Sequence, residues 1–171
     1  MFKTLSLLLA GAALTGVGAI AHAQTANAQT AGTMAPIVIY NDGLSEGWQS
    51  QSWASVAMQV QTGSAQPIKI EGGPWSALWL HHAPIYTKGY SKITFYINGG
   101  VDGGQNLAVK VSINGKILDK ADMIQPKTKA WDPVTIPLKD IGGQDVNIDG
   151  IVIQGQADAY KPYYVDRIEI E

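Results

Sequence analysis

Apolar and polar residues alternate along most of this chain, and the alternation predicts strands. The clearest stretch is 90–115. Ile93, Phe95 and Ile97 alternate with Lys92, Thr94, Tyr96 and Asn98, and Leu107, Val109, Val111 and Ile113 alternate with Ala108, Lys110 and Ser112. A period of two over that length predicts two half-buried strands with one face on a core. Between them lie Gly99, Gly100, Gly103 and Gly104, which suit positive φ or a close backbone approach. Asn114-Gly115 ends the second run and predicts a two-residue hairpin, because a type I′ turn needs positive φ at both positions.

The rest of the pattern agrees. Short strands are expected at 37–40, around Val56, Met58 and Val60, and at Ile68 and Ile70 before Gly72-Gly73-Pro74. The run 75–82 (WSALWLHH) predicts a buried strand, with a loop over 84–89. A return strand should start at Ile117 and Leu118, and 119–128 is polar and loop-like. The alternating run 131–138 contains Pro133 and Pro137, which demote it to an edge or bulged strand. Strands are expected at 151–153 and again over 163–171. No segment has a helical period. About nine strands separated by Gly and Pro turns predict an all-β fold, an antiparallel jelly-roll β-sandwich.

The first residues read differently. Lys3 precedes a small apolar run over 5–20, and Ala21-His22-Ala23 forms an A-x-A site. This predicts a signal peptide over 1–23, a flexible leader over 24–36 and one folded domain over 37–171. The expected destination is the periplasm or the outside medium, with no membrane span after cleavage. The chain has no cysteine, so no disulfide supports the domain. Its formal net charge is −2, and no basic patch is present to match a phosphate backbone, so nucleic acid is not expected as a partner.

The chain has five Trp and seven Tyr against two Phe, which favours rings with a polar handle. Such rings can stack on the C–H faces of sugars while amides take the hydroxyls. Trp48, Trp53 and Trp75 lie next to loops, and are candidates for a platform or for the core. Trp79 and Trp131 lie within alternating strands and are expected in the core. Gln51, His81 and His82 are the candidate hydrogen-bonding partners of a sugar. His81 and His82 are adjacent on a strand and face opposite ways, so they are not expected to share a metal. Asp42 and Asp166 sit at the edges of the first and last strands. If those strands meet, the two carboxylates could share a calcium ion with backbone carbonyls. Catalysis finds little support. There is no Cys nucleophile and no G-x-S-x-G motif, and nothing in the spacing brings Glu46 and Glu71 together as a glycosidase pair.

Several segments carry a family likeness: IVIYNDGLSEGWQSQSW, YSKITFYINGGVDGGQNLAVKV, WDPVTIPL, and IDGIVIQ followed by YYVDRIEI. Over about 37–171 the chain resembles the galactose-binding-like β-sandwiches, and among them the non-catalytic carbohydrate-binding modules. The resemblance implies a structural calcium ion at Asp166 and, more loosely, Asp42. It also implies a polysaccharide or cell-surface glycan as partner. Such modules are usually appended to enzymes, and here no catalytic domain follows, so the expectation is a free-standing, monomeric, exported binding module. Two other readings stay open. One is a structural or adhesive domain that contacts proteins through its aromatics. The other is a small polysaccharide lyase or hydrolase that uses His81 or His82 with Tyr163 or Glu71.

Overall fold

The computed structural model describes residues 34–171. The expected signal peptide and most of the expected leader lie outside these residues. Among the described residues no helix is long and apolar enough to cross a membrane.

The described residues form twelve strands in two antiparallel sheets of six. The first sheet contains β1 (Ile37–Tyr40), β3 (Ser55–Ala57), β4 (Ile68–Gly72), β6 (Lys92–Asn98), β10 (Trp131–Pro137) and β12 (Tyr160–Ile170). Its order is β10-β6-β12-β4-β3, with β1 also on β12. The second sheet contains β2 (Gln49–Ser50), β5 (Ala77–Tyr86), β7 (Leu107–Ile113), β8 (Lys116–Ile117), β9 (Asp122–Ile124) and β11 (Asn147–Gly155). Its order is β2-β5-β11-β7-β8, with β9 also on β7. The all-β sandwich predicted from the alternation is therefore the fold observed.

The alternation also decides which residues face inward. Ile93, Phe95 and Ile97 from the first sheet meet Leu107, Val109, Val111, Ile151 and Ile153 from the second in one buried cluster. Burying each such side chain stabilises the fold by about 1.5–3 kcal/mol. The two long runs of the sequence thus lie in different sheets, and the glycine-rich segment between them crosses from one sheet to the other. A Cβ on Gly99 would lie 2.6 Å from the Lys127 carbonyl oxygen, so a close approach to the loop at 126–128 requires glycine there. Gln105 ties the crossing down by donating from Nε2 to the carbonyls of Gly99 at 2.9 Å and Lys161 at 3.2 Å.

The hairpin at Asn114-Gly115 forms as expected, with φ of 52° and 73°. It sets Ile113 opposite Lys116 and Ser112 opposite Ile117. Among the described residues β10 is an edge strand that pairs only with β6, which suits Pro133 and Pro137 because neither has an N–H to donate. The first and last strands meet, Ile37 facing Ile170 and Tyr40 facing Ile168.

Three expectations are corrected. The strand expected to stop at His82 continues to Tyr86, because Ile85 and Tyr86 pair with Ile148 and Asn147. Pro84 is tolerated where the β11 register slips between Ile148 and Gly150. The stretch expected as loop at 119–128 contains β9, a short strand that adds to β7. Trp131, expected in the core, is 41% exposed, because its position on β10 shares the outward side of Asn98.

Candidate functional site

The outer face of the second sheet carries the densest set of candidate residues. Leu78 and Leu80 point inward from β5, so Ala77, Trp79 and His81 point outward. The register places Trp79, Val152 and Lys110 in one row across β5, β11 and β7. His81, Gly150 and Ser112 form the next row, and Ala77, Gln154 and Ala108 the row on the other side.

Trp79, expected in the core, instead lies half-buried across this outer face, because its neighbours Leu78 and Leu80 take the inward phase of β5. Its Nε1 donates to Ser112 Oγ at 3.2 Å, which spans β11. Gly150 makes this possible, since a Cβ there would lie 2.5 Å from Trp79 Nε1 and 2.7 Å from Ser112 Oγ. Ser112 in turn donates to Asp149 Oδ1 at 2.6 Å, and Asp149 Oδ2 accepts the Gly115 N–H at 2.5 Å. The indole is thereby fixed by a chain of three hydrogen bonds. His81 packs edge-on to it, with centroids 5.6 Å apart and planes at 88°.

Trp53 and Trp75 extend the aromatic surface. Trp53 meets Trp79 edge-on at 6.3 Å and 81°. Its Nε1 donates to the Trp75 carbonyl at 2.8 Å, and Gln154 Nε2 donates to the same oxygen at 2.9 Å. Trp75 has φ of 63°, in the left-handed region that a residue with a Cβ seldom occupies, so this loop is held by its contacts. Trp53 is 46% and Trp75 53% exposed, which leaves large apolar rings in water on a rigid frame. Lys110 Nζ donates to Gln154 Oε1 at 3.1 Å and adds an ammonium to the same face. A cleft of about 570 Å³ runs past Trp53 along Glu71, Ser76 and Tyr160. Burial raises the Tyr160 hydroxyl above the ordinary phenol value, and the hydroxyl is hydrogen-bonded with Ser76 Oγ at 3.0 Å.

The other sequence candidates fall in different places. Gln51 follows the pairing of Gln49 with His81, and its N–H donates to the Trp79 carbonyl at 2.8 Å. That register puts the exposed Gln51 beside Trp79 on the platform side. Trp48 is corrected from platform to core. Gly47 at φ 81° turns the chain so that Trp48 is buried, 5.1 Å from the His82 ring. His82 is likewise on the opposite side of β5 from His81, with Nδ1 at the Ala83 carbonyl, and does not join the platform. Tyr163 is fully buried in the core, so it does not meet His81 as an acid–base partner. Glu71 forms an exposed ion pair with Lys69 at 3.3 Å.

Asp42 and Asp166 do come together. The Asp42 N–H points to Asp166 Oδ1 at 3.4 Å, and the Arg167 N–H donates to that oxygen at 2.9 Å. Asp42 Oδ1 accepts the Gln66 N–H at 2.6 Å. One oxygen of each carboxylate is thus engaged by backbone donors, which leaves one on each for a cation. Among the described residues no three His, Asp or Glu side chains gather as a metal cluster. A hard cation here would therefore draw most of its oxygens from carbonyls.

Lys110, Ser112 and Gln154 were not singled out by sequence reasoning. Their signal is present but weak: each is a polar residue on the outward phase of a strand whose inward phase is Val, Ile or Leu. Nothing in the alternation separates such a residue from any other solvated position.

No protein-family profile and no curated protein sequence matches this chain. Solved structures do. A structure described as "Carbohydrate binding module family29" superposes with a TM-score of 0.61 at 12% identity, covering 80% of this chain and 87% of its own. A lysine variant of the module CBM29-2, complexed with cellulohexaose, gives 0.61 at 14% identity, with 80% and 89% covered. An aspartate variant of CBM29-2, complexed with mannohexaose, gives 0.60 at 12% identity, with 80% and 90% covered. At these identities the likeness is one of fold, and this chain has the two-sheet β-sandwich fold of carbohydrate-binding modules.

Proposed function

We propose that this protein binds a polysaccharide without cleaving it, through the outer face of the second sheet. The observation that carries the reading is the fixed pair of Trp53 and Trp79, with the exposed Trp75 on the adjoining loop, on a module-like sandwich. The three indoles would stack on sugar C–H faces. Gln51, His81, Lys110 and Gln154 would take the hydroxyls. The Trp53 and Trp79 indoles are held by hydrogen bonds before any ligand arrives, so little of their side-chain freedom remains to be lost on binding. The module-like fold supports binding rather than cleavage. Export as a monomer is part of the same proposal, because the polysaccharide would be met outside the cytoplasm.

Affinity electrophoresis through gels of soluble polysaccharides tests it. One neutral polysaccharide should retard the protein. Trp53→Ala and Trp75→Ala should each weaken binding by roughly 1–3 kcal/mol, the range for removing an aromatic anchor, with the fold intact. Tyr96→Ala, on the other sheet, should leave retardation unchanged. A protein that no gel retards, with a mass that rises with concentration, would favour the adhesive reading instead.

The calcium ion at Asp42 and Asp166 belongs to this proposal. It would join the loop after β1 to β12 and act on stability alone. Chelation should lower the melting temperature and leave retardation intact, and an unchanged melting curve would remove the ion from the account.

A further inference from the structure

The outer face of the first sheet holds a second aromatic site. β6 turns Phe95 and Ile97 inward and presents Tyr96 and Asn98 outward. The register sets Pro133 opposite Tyr96 and Trp131 opposite Asn98. Tyr96 and Trp131 are each 41% exposed. With Ala65, Asp166 and Arg167 they line a depression of about 210 Å³.

Arg167 gives the depression its chemistry. It sits where β12 slips register between Asp166 and Glu169, with φ of 50°. Its guanidinium carbon lies 5.7 Å from the Tyr96 ring centroid, so the cation rests on an aromatic face. Among the described residues no carboxylate lies within ion-pair distance of it. Asp166 also lines the depression, but it is buried and its Oδ1 faces the N–H groups of Arg167 and Asp42. The backbone meets that negative charge, and the guanidinium fork is left open. A planar fork of N–H donors matches a carboxylate with two parallel hydrogen bonds.

We infer that this depression is a second binding site, and that it takes a carboxylate-bearing sugar, a uronate residue of an acidic polysaccharide. The sugar ring stacks on Trp131, and its carboxylate meets the Arg167 guanidinium. A peptide added as a strand beside Trp131 fits less well, because Pro133 and Pro137 deprive the β10 edge of N–H donors. The site lies on the outward side of the other sheet from Trp53, Trp75 and Trp79, and it does not rest on the platform proposed there. One chain would then hold a neutral and an acidic glycan on its two outer faces.

The test is affinity electrophoresis through polygalacturonate, run beside glucomannan and poly-L-glutamate. Polygalacturonate should retard the protein and poly-L-glutamate should not. Arg167→Gln, which loses roughly one charge-assisted contact, and Trp131→Ala, which loses the stacked ring, should each weaken polygalacturonate binding by about tenfold or more, without changing the melting temperature or the behaviour in glucomannan. Trp53→Ala should leave polygalacturonate binding unchanged. Arg167→Lys keeps the charge and loses the fork, and it should bind nearly as weakly as Arg167→Gln. The inference is overturned by any of four results. These are no retardation by polygalacturonate, equal retardation by poly-L-glutamate, wild-type binding by Arg167→Gln or Arg167→Lys, and a concentration-dependent dimer that Trp131→Ala abolishes.

Discussion

On β12 the Tyr163 ring is wholly buried, and its hydroxyl has no hydrogen-bond partner among the described residues. A buried polar group without a partner costs free energy, whereas removing it leaves the apolar packing in place. Tyr163→Phe should therefore be neutral or stabilising, by up to about 1 kcal/mol in urea unfolding at neutral pH. The same hydroxyl bears on alkaline stability. Burial pushes Tyr163 well above the ordinary phenol value, with the neighbouring Tyr160 phenol adding to it, and burial also raises Tyr160 and Tyr40. A raised folded value means the fold favours the neutral phenol. That contribution is complete below about pH 10, where the unfolded phenols are also protonated, and is lost as pH rises beyond it toward the folded values. Thermal melts should fall steeply above about pH 10. Tyr163→Phe should shift that fall to higher pH, and an unshifted fall would show that Tyr163 does not govern it.

Among the elements, β11 does most to shape the platform. It is central in the second sheet, between β5 and β7, and reads as a buried strand with a glycine, Gly150, in its interior. Glycine in a strand interior weakens it slightly and often marks a close approach. Here the approach is by the Trp79 indole from one side and Ser112 from the other. Gly150→Ala would also set its Cβ 2.8 Å from the Leu80 carbonyl oxygen, where backbone must move. It should cost about 1–3 kcal/mol and change the tryptophan emission of the folded protein. Ser112→Ala leaves the space but removes both the hydrogen bond from Trp79 and the one to the buried Asp149 carboxylate, so it should also cost about 1–3 kcal/mol while loosening the ring without moving the backbone. Denaturant unfolding followed by fluorescence measures both, and a Gly150→Ala protein with wild-type stability and emission would refute this account of the glycine.

At the scale of the molecule, the sandwich is closed by contacts distant in sequence. β12 pairs with β1, β4 and β6, so the last strand joins segments spread from 37 to 98. That placement brings Asp166 to Asp42, as the sequence anticipated for terminal strands that meet. It also puts Arg167 beside Tyr96, which no sequence pattern announced. The outward rows of both sheets are built in the same way, from residues of three or more strands whose order in space is unrelated to their order along the chain.

The sequence alone determined the long strands and the alternation of their two faces, because side chains on a strand alternate and one face must leave water. It determined the Asn114-Gly115 turn, because few residues accept the φ that turn requires. It also made β10 an edge strand, because proline cannot donate to a ladder. Only the tertiary structure decided which aromatic rings stay in water. Trp48 and Trp53 sit in equally mixed surroundings in the sequence, yet the turn at Gly47 sends Trp48 inward, while the bond from Trp53 to the Trp75 carbonyl holds Trp53 outside. Trp131 follows an alternation as regular as that of Phe95, but it stands on the outward phase of an edge. Alternation tells that two faces differ. Which face meets the other sheet is fixed by pairing between distant strands, and that pairing cannot be read from either strand alone.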